Sequence, residues 1–146
     1  MENADILSIL NCNYLITFNR IELFRDSGST TYIVYSDNKK YFLKISKSAF
    51  KDTIKGSVYV NVFLQSKNFP VPNIIFTAKG YPFVELMTES GVRYYLLYDF
   101  LEGSEINVNL DAEEIGSLLG SLHKVMNGYQ GALVTHGKAF YIERYI

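Results

Sequence analysis

Two prolines enclose a single valine at Pro70-Val71-Pro72, and neither a helix nor an interior strand can run through such a segment. Proline has no main-chain N–H to donate, and its ring clashes with the preceding helical turn. The chain is therefore divided here. Upstream, residues 49–66 read as a helix, weakened by Gly56 and diluted by valines and phenylalanines, with Asn68 and Phe69 closing it. Downstream come short β-rich runs at residues 73–77, 83–87 and 93–101. Lys79-Gly80 and Glu89-Ser90-Gly91 are the turns between them.

The first third of the chain repeats that grammar. Residues 5–10 have helical spacing and end near Asn11 and Asn13. Residues 20–25 read as a strand and residues 26–30 as a polar loop. Residues 31–35 and 41–45 are two more strands, joined through Ser36-Asp37-Asn38-Lys39, a hairpin turn by composition. Gly103-Ser104 breaks the last strand. Residues 111–126 form the clearest helix, with Asp111 and Glu114 as its capping box and Ile115, Leu118, Leu119, Leu122 and Met126 on one face. Asn127-Gly128 ends it. Residues 133–146 are mixed, with a short extended or helical piece at 139–146. Two hairpins followed by a helix predict an α+β fold, an antiparallel sheet with one helix packed on it.

Composition removes several function classes. The 146 residues carry 14 basic and 15 acidic side chains, a net charge of −1. That leaves no basic footprint for nucleic acid and no polybasic membrane anchor. The longest apolar runs, such as residues 94–98, fall far short of the ~20 residues of a membrane span. Met1-Glu2-Asn3 has no secretory pattern, and Cys12 stands alone, so a disulfide framework or cysteine zinc site cannot be drawn. A cytoplasmic protein is expected. Twelve tyrosines and ten phenylalanines without a tryptophan suit a tyrosine-rich sheet. A base-stacking platform would interleave them with Lys and Arg.

Three places carry chemistry. Ser27-Gly28-Ser29-Thr30-Thr31 sits between two strands, where small residues let N–H groups and hydroxyls approach a phosphate. An ordinary hairpin tip has the same composition, and the G-x-G-x-x-G pattern is absent. Lys44 interrupts the apolar run Tyr41-Phe42-Leu43-Lys44-Ile45. Alternation puts it with Phe42, opposite Leu43 and Ile45, either as an edge lysine reaching water or as a fixed cation for phosphates. Tyr98-Asp99-Phe100-Leu101-Glu102-Gly103 ends an apolar strand in a glycine break. His123, alone on its helix without a second ligand at i+4, reads as structural.

Taken in order, residues 41–46, Phe69-Pro70-Val71-Pro72, residues 96–103 and the helix reading Leu119-Gly120-Ser121-Leu122-His123 resemble the aminoglycoside phosphotransferase and choline-kinase-like family. The resemblance covers residues 20–126. It implies a kinase-like small lobe at residues 1–101, a five-stranded antiparallel sheet with one packed helix. A connecting segment and the first helix of a truncated large lobe would follow at 102–146. It also implies ATP as cofactor. Lys44 would contact the phosphates, Ser27, Gly28, Ser29, Thr30 and Thr31 would cover them, and Asp99 and Leu101 would offer main-chain groups to adenine. The complete enzyme would transfer the γ-phosphate to a hydroxyl of an amino sugar, sugar or choline-like alcohol, with magnesium held by the missing lobe. Neither nucleic acid nor membrane is an expected partner.

The chain departs from the family pattern in two places. The helix residue whose glutamate pairs with the lysine falls at Ser57, and nearby Asn61 is also uncharged. Asp52 precedes it. The catalytic loop H-G-D-x-x-x-x-N follows neither His123-Lys124-Val125 nor His136-Gly137-Lys138, so no catalytic residue or metal ligand is assigned. A lobe cut before its catalytic half is therefore expected, with a non-catalytic binding or regulatory module as the alternative. The apolar stripe of residues 111–126 is expected to dock on a second copy, as a homodimer, or to fold back on the sheet.

Overall fold

The computed structural model describes residues 3–46 and 51–133. Its elements are α1 (Asn3–Asn13), β1 (Arg20–Asp26), β2 (Ser29–Ser36), β3 (Lys39–Ser46), α2 (Lys51–Ser66), β4 (Val84–Thr88), β5 (Gly91–Asp99) and α3 (Val108–Met126). The five strands form one sheet in the order β1-β2-β3-β5-β4, and every neighbouring pair is antiparallel. This is the expected α+β arrangement.

Period-2 alternation decides which side chains go to which face. On β3, Tyr41, Leu43 and Ile45 are buried on one side, where α1 contributes Ile6 and Leu10 and the segment after it Tyr14 and Phe18. Phe18 meets Tyr14 and Tyr41 edge-on, at ring-centroid separations of 6.4 and 5.6 Å. On the other side, α2 packs Ile54 and Val58 against Tyr94 and Leu96. Helices thus cover both faces. That is why β5 is buried continuously from Tyr94 through Leu97 and reads in the sequence as an unbroken apolar run. The β4–β5 turn closes on Gly91 at φ +106°, a conformation that a side chain would strain.

Three boundaries differ from the sequence expectation. Residues 73–77 are not a strand; they make one isolated bridge, Ile74 to Tyr98. Ile75 N–H donates to Leu97 O and Asp99 N–H to Asn73 O, but the other side of Ile74 bonds to the side chain of Gln65, so no ladder extends. The loop of residues 26–30 shrinks to Ser27 and Gly28, because Ser29 and Thr30 already pair with Ser46 and Ile45. α3 starts at Val108, capped by Asn107 rather than Asp111. The Asn107 side chain accepts from Asn109 N–H at 3.1 Å, and Asp111 accepts from Asn107 N–H at 2.9 Å. Asp111 therefore plays the reciprocal part of a capping box whose first member lies four residues upstream. The expected start of α2 at Ala49 and the piece at residues 139–146 lie outside the described residues.

Candidate functional site

β3 carries Phe42 and Lys44 on the α2 side of the sheet, away from the α1 core. There Phe24, Phe42, Lys44, Asn61, Pro72, Tyr98, Asp99, Phe100 and Leu101 line a cleft of about 460 Å³. It lies between the sheet, α2, the Pro-Val-Pro turn and the segment leaving β5. Other concavities are larger, such as one of about 550 Å³ beside Thr30 and Glu89 on the opposite face. This cleft combines a cation, aromatic walls and a stretch of open main chain.

Phe24 and Phe42 meet edge-on at 5.7 Å across its roof. Phe24 shares this face by the alternation of β1, and it is also the extra residue of a β-bulge. β1 pairs regularly with β2 up to Leu23 opposite Tyr32, then resumes with Arg25 opposite Thr31, leaving Phe24 as the extra residue. Lys44 lies between Thr31 of β2 and Leu96 of β5. Among the described residues it makes no ion pair. The α2 residue that reaches the cleft beside it is Asn61, whose Nδ2 donates to Pro72 O at 2.9 Å. Ser57 is exposed, and its hydroxyl donates back to Ile54 O within the helix. No carboxylate of α2 is thus presented to Lys44 among the described side chains; that of Asp52 lies outside them.

At the other end of the cleft, the chain leaves β5 under tight control. Asp99 N–H is already donated to Asn73 O at 2.9 Å. Its carboxylate accepts from Lys39 Nζ at 3.4 Å and from Asn73 Nδ2 at 3.3 Å. Lys40 Nζ pairs with Glu102 at 2.5 Å and lies 4.1 Å from the Phe100 ring centroid. Leu101, between these anchors, is 60% exposed, and among the described residues its main chain makes no hydrogen bond. Its N–H and C=O are free to meet a ligand, whereas Asp99 has its N–H engaged. Tyr98 lines the cleft beside them, its phenol pushed above the ordinary tyrosine range by burial.

The structure thus brings Lys44, Asp99 and Leu101 into one cleft. The tip residues sit beside it rather than in its lining. Thr31 shares the face of Lys44 and donates its hydroxyl to Arg25 O at 3.1 Å, and Ser29 shares that face by register. Thr30 pairs with Ile45, points to the opposite face and donates to Asp26 at 2.9 Å. Ser27 and Gly28 form the exposed tip. The alternation of β3 signals Phe42 in the sequence. The alternation of β1, with Ile21 and Leu23 on the α1 side, signals Phe24 in the same way. His123 is exposed on α3, and His136-Gly137-Lys138 lies outside the described residues.

No protein-family model matches this chain, and no curated protein matches it in sequence. Solved structures do match in shape. A microcompartment-associated aminopropanol kinase superposes with a TM-score of 0.74 at 15% identity, over 98% of this chain and 49% of its own. An amicoumacin kinase in complex with AMP-PNP and Ca²⁺ gives 0.73 at 16% identity, over 91% and 42%. A spectinomycin phosphotransferase in complex with ADP and spectinomycin gives 0.67 at 15%, over 86% and 38%. The chain has the fold of these small-molecule kinases. It spans less than half of each of them.

Among the described residues, no group of His, Cys, Asp or Glu side chains is placed to hold a metal ion. The carboxylate lining the cleft, Asp99, is taken up by Lys39 and Asn73. The described residues therefore do not form a magnesium site. No described helix is long and apolar enough to cross a membrane.

Proposed function

We propose that this chain is the nucleotide-binding lobe of a small-molecule phosphotransferase. The observation that carries the reading is the placement of Lys44 and Leu101 at two ends of one aromatic-walled cleft, in a fold shared with kinases. A purine base would lie against Phe24 and Phe42 and bond to the open main chain at Leu101 and the carbonyl of Asp99. The phosphates would run along β3 to the Lys44 ammonium, beneath the β1–β2 hairpin that carries Ser27 to Thr31. On this reading residues 1–101 form the lobe, and residues 102–146 begin the connection to a second lobe. That lobe would supply the base, the magnesium ligands and the site for a hydroxyl acceptor, an amino sugar, sugar or choline-like alcohol. The α3 stripe is the surface for a second copy.

The neutral Asn61 and Ser57 favour a second reading, a kinase-like module that binds nucleotide or regulates without transferring phosphate. Thermal unfolding with millimolar magnesium–ATP, beside Lys44→Ala, tests the shared step. Ligand at 100 times its dissociation constant adds roughly 2.7 kcal/mol of stability. A rise in melting temperature that Lys44→Ala abolishes supports a nucleotide lobe. A folded chain indifferent to nucleotide overturns it.

A further inference from the structure

The β1 bulge leaves Phe24 on the face that alternation gives it and re-aims the residue that follows. In a regular ladder Phe24 would oppose Thr31, and Arg25 would oppose Thr30 on the α1 face. With Phe24 inserted as the extra residue, Arg25 opposes Thr31 instead. Thr31 in turn opposes Lys44. Arg25, Thr31 and Lys44 therefore form one row across β1, β2 and β3 on the cleft face. Successive strands are about 4.8 Å apart, so the two basic residues stand about 10 Å apart at the backbone. Both side chains are long enough to converge on one anionic group.

Two contacts hold Arg25 there. The Thr31 hydroxyl donates to Arg25 O at 3.1 Å and pins the bulge, and the guanidinium lies 6.0 Å from the centroid of the cleft-lining Phe24 ring. Among the described residues Arg25 makes no ion pair. This row thus presents two unpaired cations, and α2 offers Asn61 where a carboxylate would neutralise one of them. Adjacent unpaired cations repel one another, so the arrangement is most favourable with an anion between them.

We propose that Arg25 is a second phosphate-binding residue of this cleft, acting with Lys44 on the polyphosphate of a nucleoside di- or triphosphate. The guanidinium can hold two phosphate oxygens at once, and Lys44 contributes a point charge. This inference rests on the nucleotide-lobe reading. It adds that a second cation on β1 helps to fix the phosphates where no α2 carboxylate fixes the lysine.

The test measures binding of magnesium–ATP and of adenosine to the 146-residue chain by calorimetry, in wild type, Arg25→Gln, Arg25→Lys and Lys44→Ala. Arg25→Gln is expected to weaken ATP about tenfold, the scale of one hydrogen-bonded charge pair, and to leave adenosine unchanged. Arg25→Lys is expected to recover part of that loss. ATP affinity unchanged in Arg25→Gln but lost in Lys44→Ala would overturn the role of Arg25 and leave the nucleotide reading standing. Equal weakening of ATP and adenosine would show that Arg25 only props Phe24, and would overturn it too. Failure of folded wild type to bind either ligand would overturn both. Arg25 is exposed, so the unliganded melting temperatures of the variants should match wild type and show that each is folded.

Discussion

Gln65 bonds to both main-chain groups of one residue, Ile74: its Nε2 donates to Ile74 O at 3.3 Å, and its Oε1 accepts the Ile74 N–H at 2.8 Å. The side-chain amide acts as a piece of neighbouring strand. Asn11 does the same for Phe18 across the sheet, with bonds of 3.0 and 2.7 Å. Each helix thus grips one non-helical residue that is itself buried, Ile74 at 2% and Phe18 at 2% exposure. The Gln65 grip reaches the cleft, because Ile74 bridges to Tyr98 and its neighbour Asn73 holds Asp99.

Gln65→Leu should therefore destabilise the chain by more than an ordinary surface change. It keeps the bulk but leaves a buried N–H and C=O without partners, at a cost of about 1–3 kcal/mol. Urea unfolding measures it. A loss below ~0.5 kcal/mol, the range of indifferent surface substitutions, would show that Ile74 is not held this way.

Lys40 fastens the segment leaving β5 through both Glu102 and the Phe100 ring. Glu102 is well exposed, and an exposed ion pair contributes only about 0.2–1 kcal/mol. Glu102→Ala is thus expected to shift the unfolding midpoint little. Lys40→Ala loses the ring contact as well, and should weaken ATP binding several-fold while stability changes by less than ~1 kcal/mol. Paired measurements of affinity and of the urea midpoint separate the two. Equal losses in both would mean that Lys40 supports the fold in general, not the open main chain of Leu101.

Tyr14 is buried, and its hydroxyl finds no hydrogen-bond partner among the described residues. Burial, with a smaller contribution from Tyr98, holds its phenol far above the ordinary value of 10.0. An acid whose folded value is raised binds more protons folded than unfolded across that interval. Its share of stability is complete below about pH 10 and is lost as pH rises above it. Tyr14→Phe should hold or raise the melting temperature at pH 7, since an unpartnered buried hydroxyl costs about 1–3 kcal/mol. It should also move the alkaline unfolding transition upward. A melting temperature several degrees lower would indicate a hydrogen bond to the hydroxyl.

The sheet was legible because its signals are local. Alternation along β3 put Phe42 and Lys44 on one face before any partner was known, and the apolar run of residues 93–101 marked a strand, although with one packed helix expected the cover on its second face was not foreseen. What escaped depends on partners distant in sequence. Residues 73–77 have strand composition, but the outward bonds of Ile74 go to a helix side chain. The cap of α3 was read at Asp111, but Asn107 has the same capping chemistry, and the hydrogen-bond geometry makes it the cap. Arg25 escaped for a similar reason. The bulge that turns it toward Lys44 is a property of how β1 pairs with β2.

α3 shows the opposite case, an element clear in sequence whose apolar face finds little cover. No residue of α3 is buried; Leu118 and Leu119 are 47% and 50% exposed, and Leu110 is 81% exposed. Its C-terminal end does return to the body, where Tyr129 meets the Phe63 ring of α2 at 5.2 Å. The stripe itself offers apolar surface that burial against another chain would stabilise at about 25 cal/mol per Å². The 146-residue chain should therefore self-associate as its concentration rises, and Leu118→Lys with Leu119→Lys should suppress this. Side chains half in solvent contribute little to folding, so the double variant should keep the wild-type urea midpoint within ~0.5 kcal/mol. Sedimentation velocity across a hundredfold concentration range checks the first point, and urea unfolding the second. A wild-type chain monomeric throughout would rule out a second copy on this face. A large drop in the midpoint of the variant would mean instead that the leucines pack within their own chain.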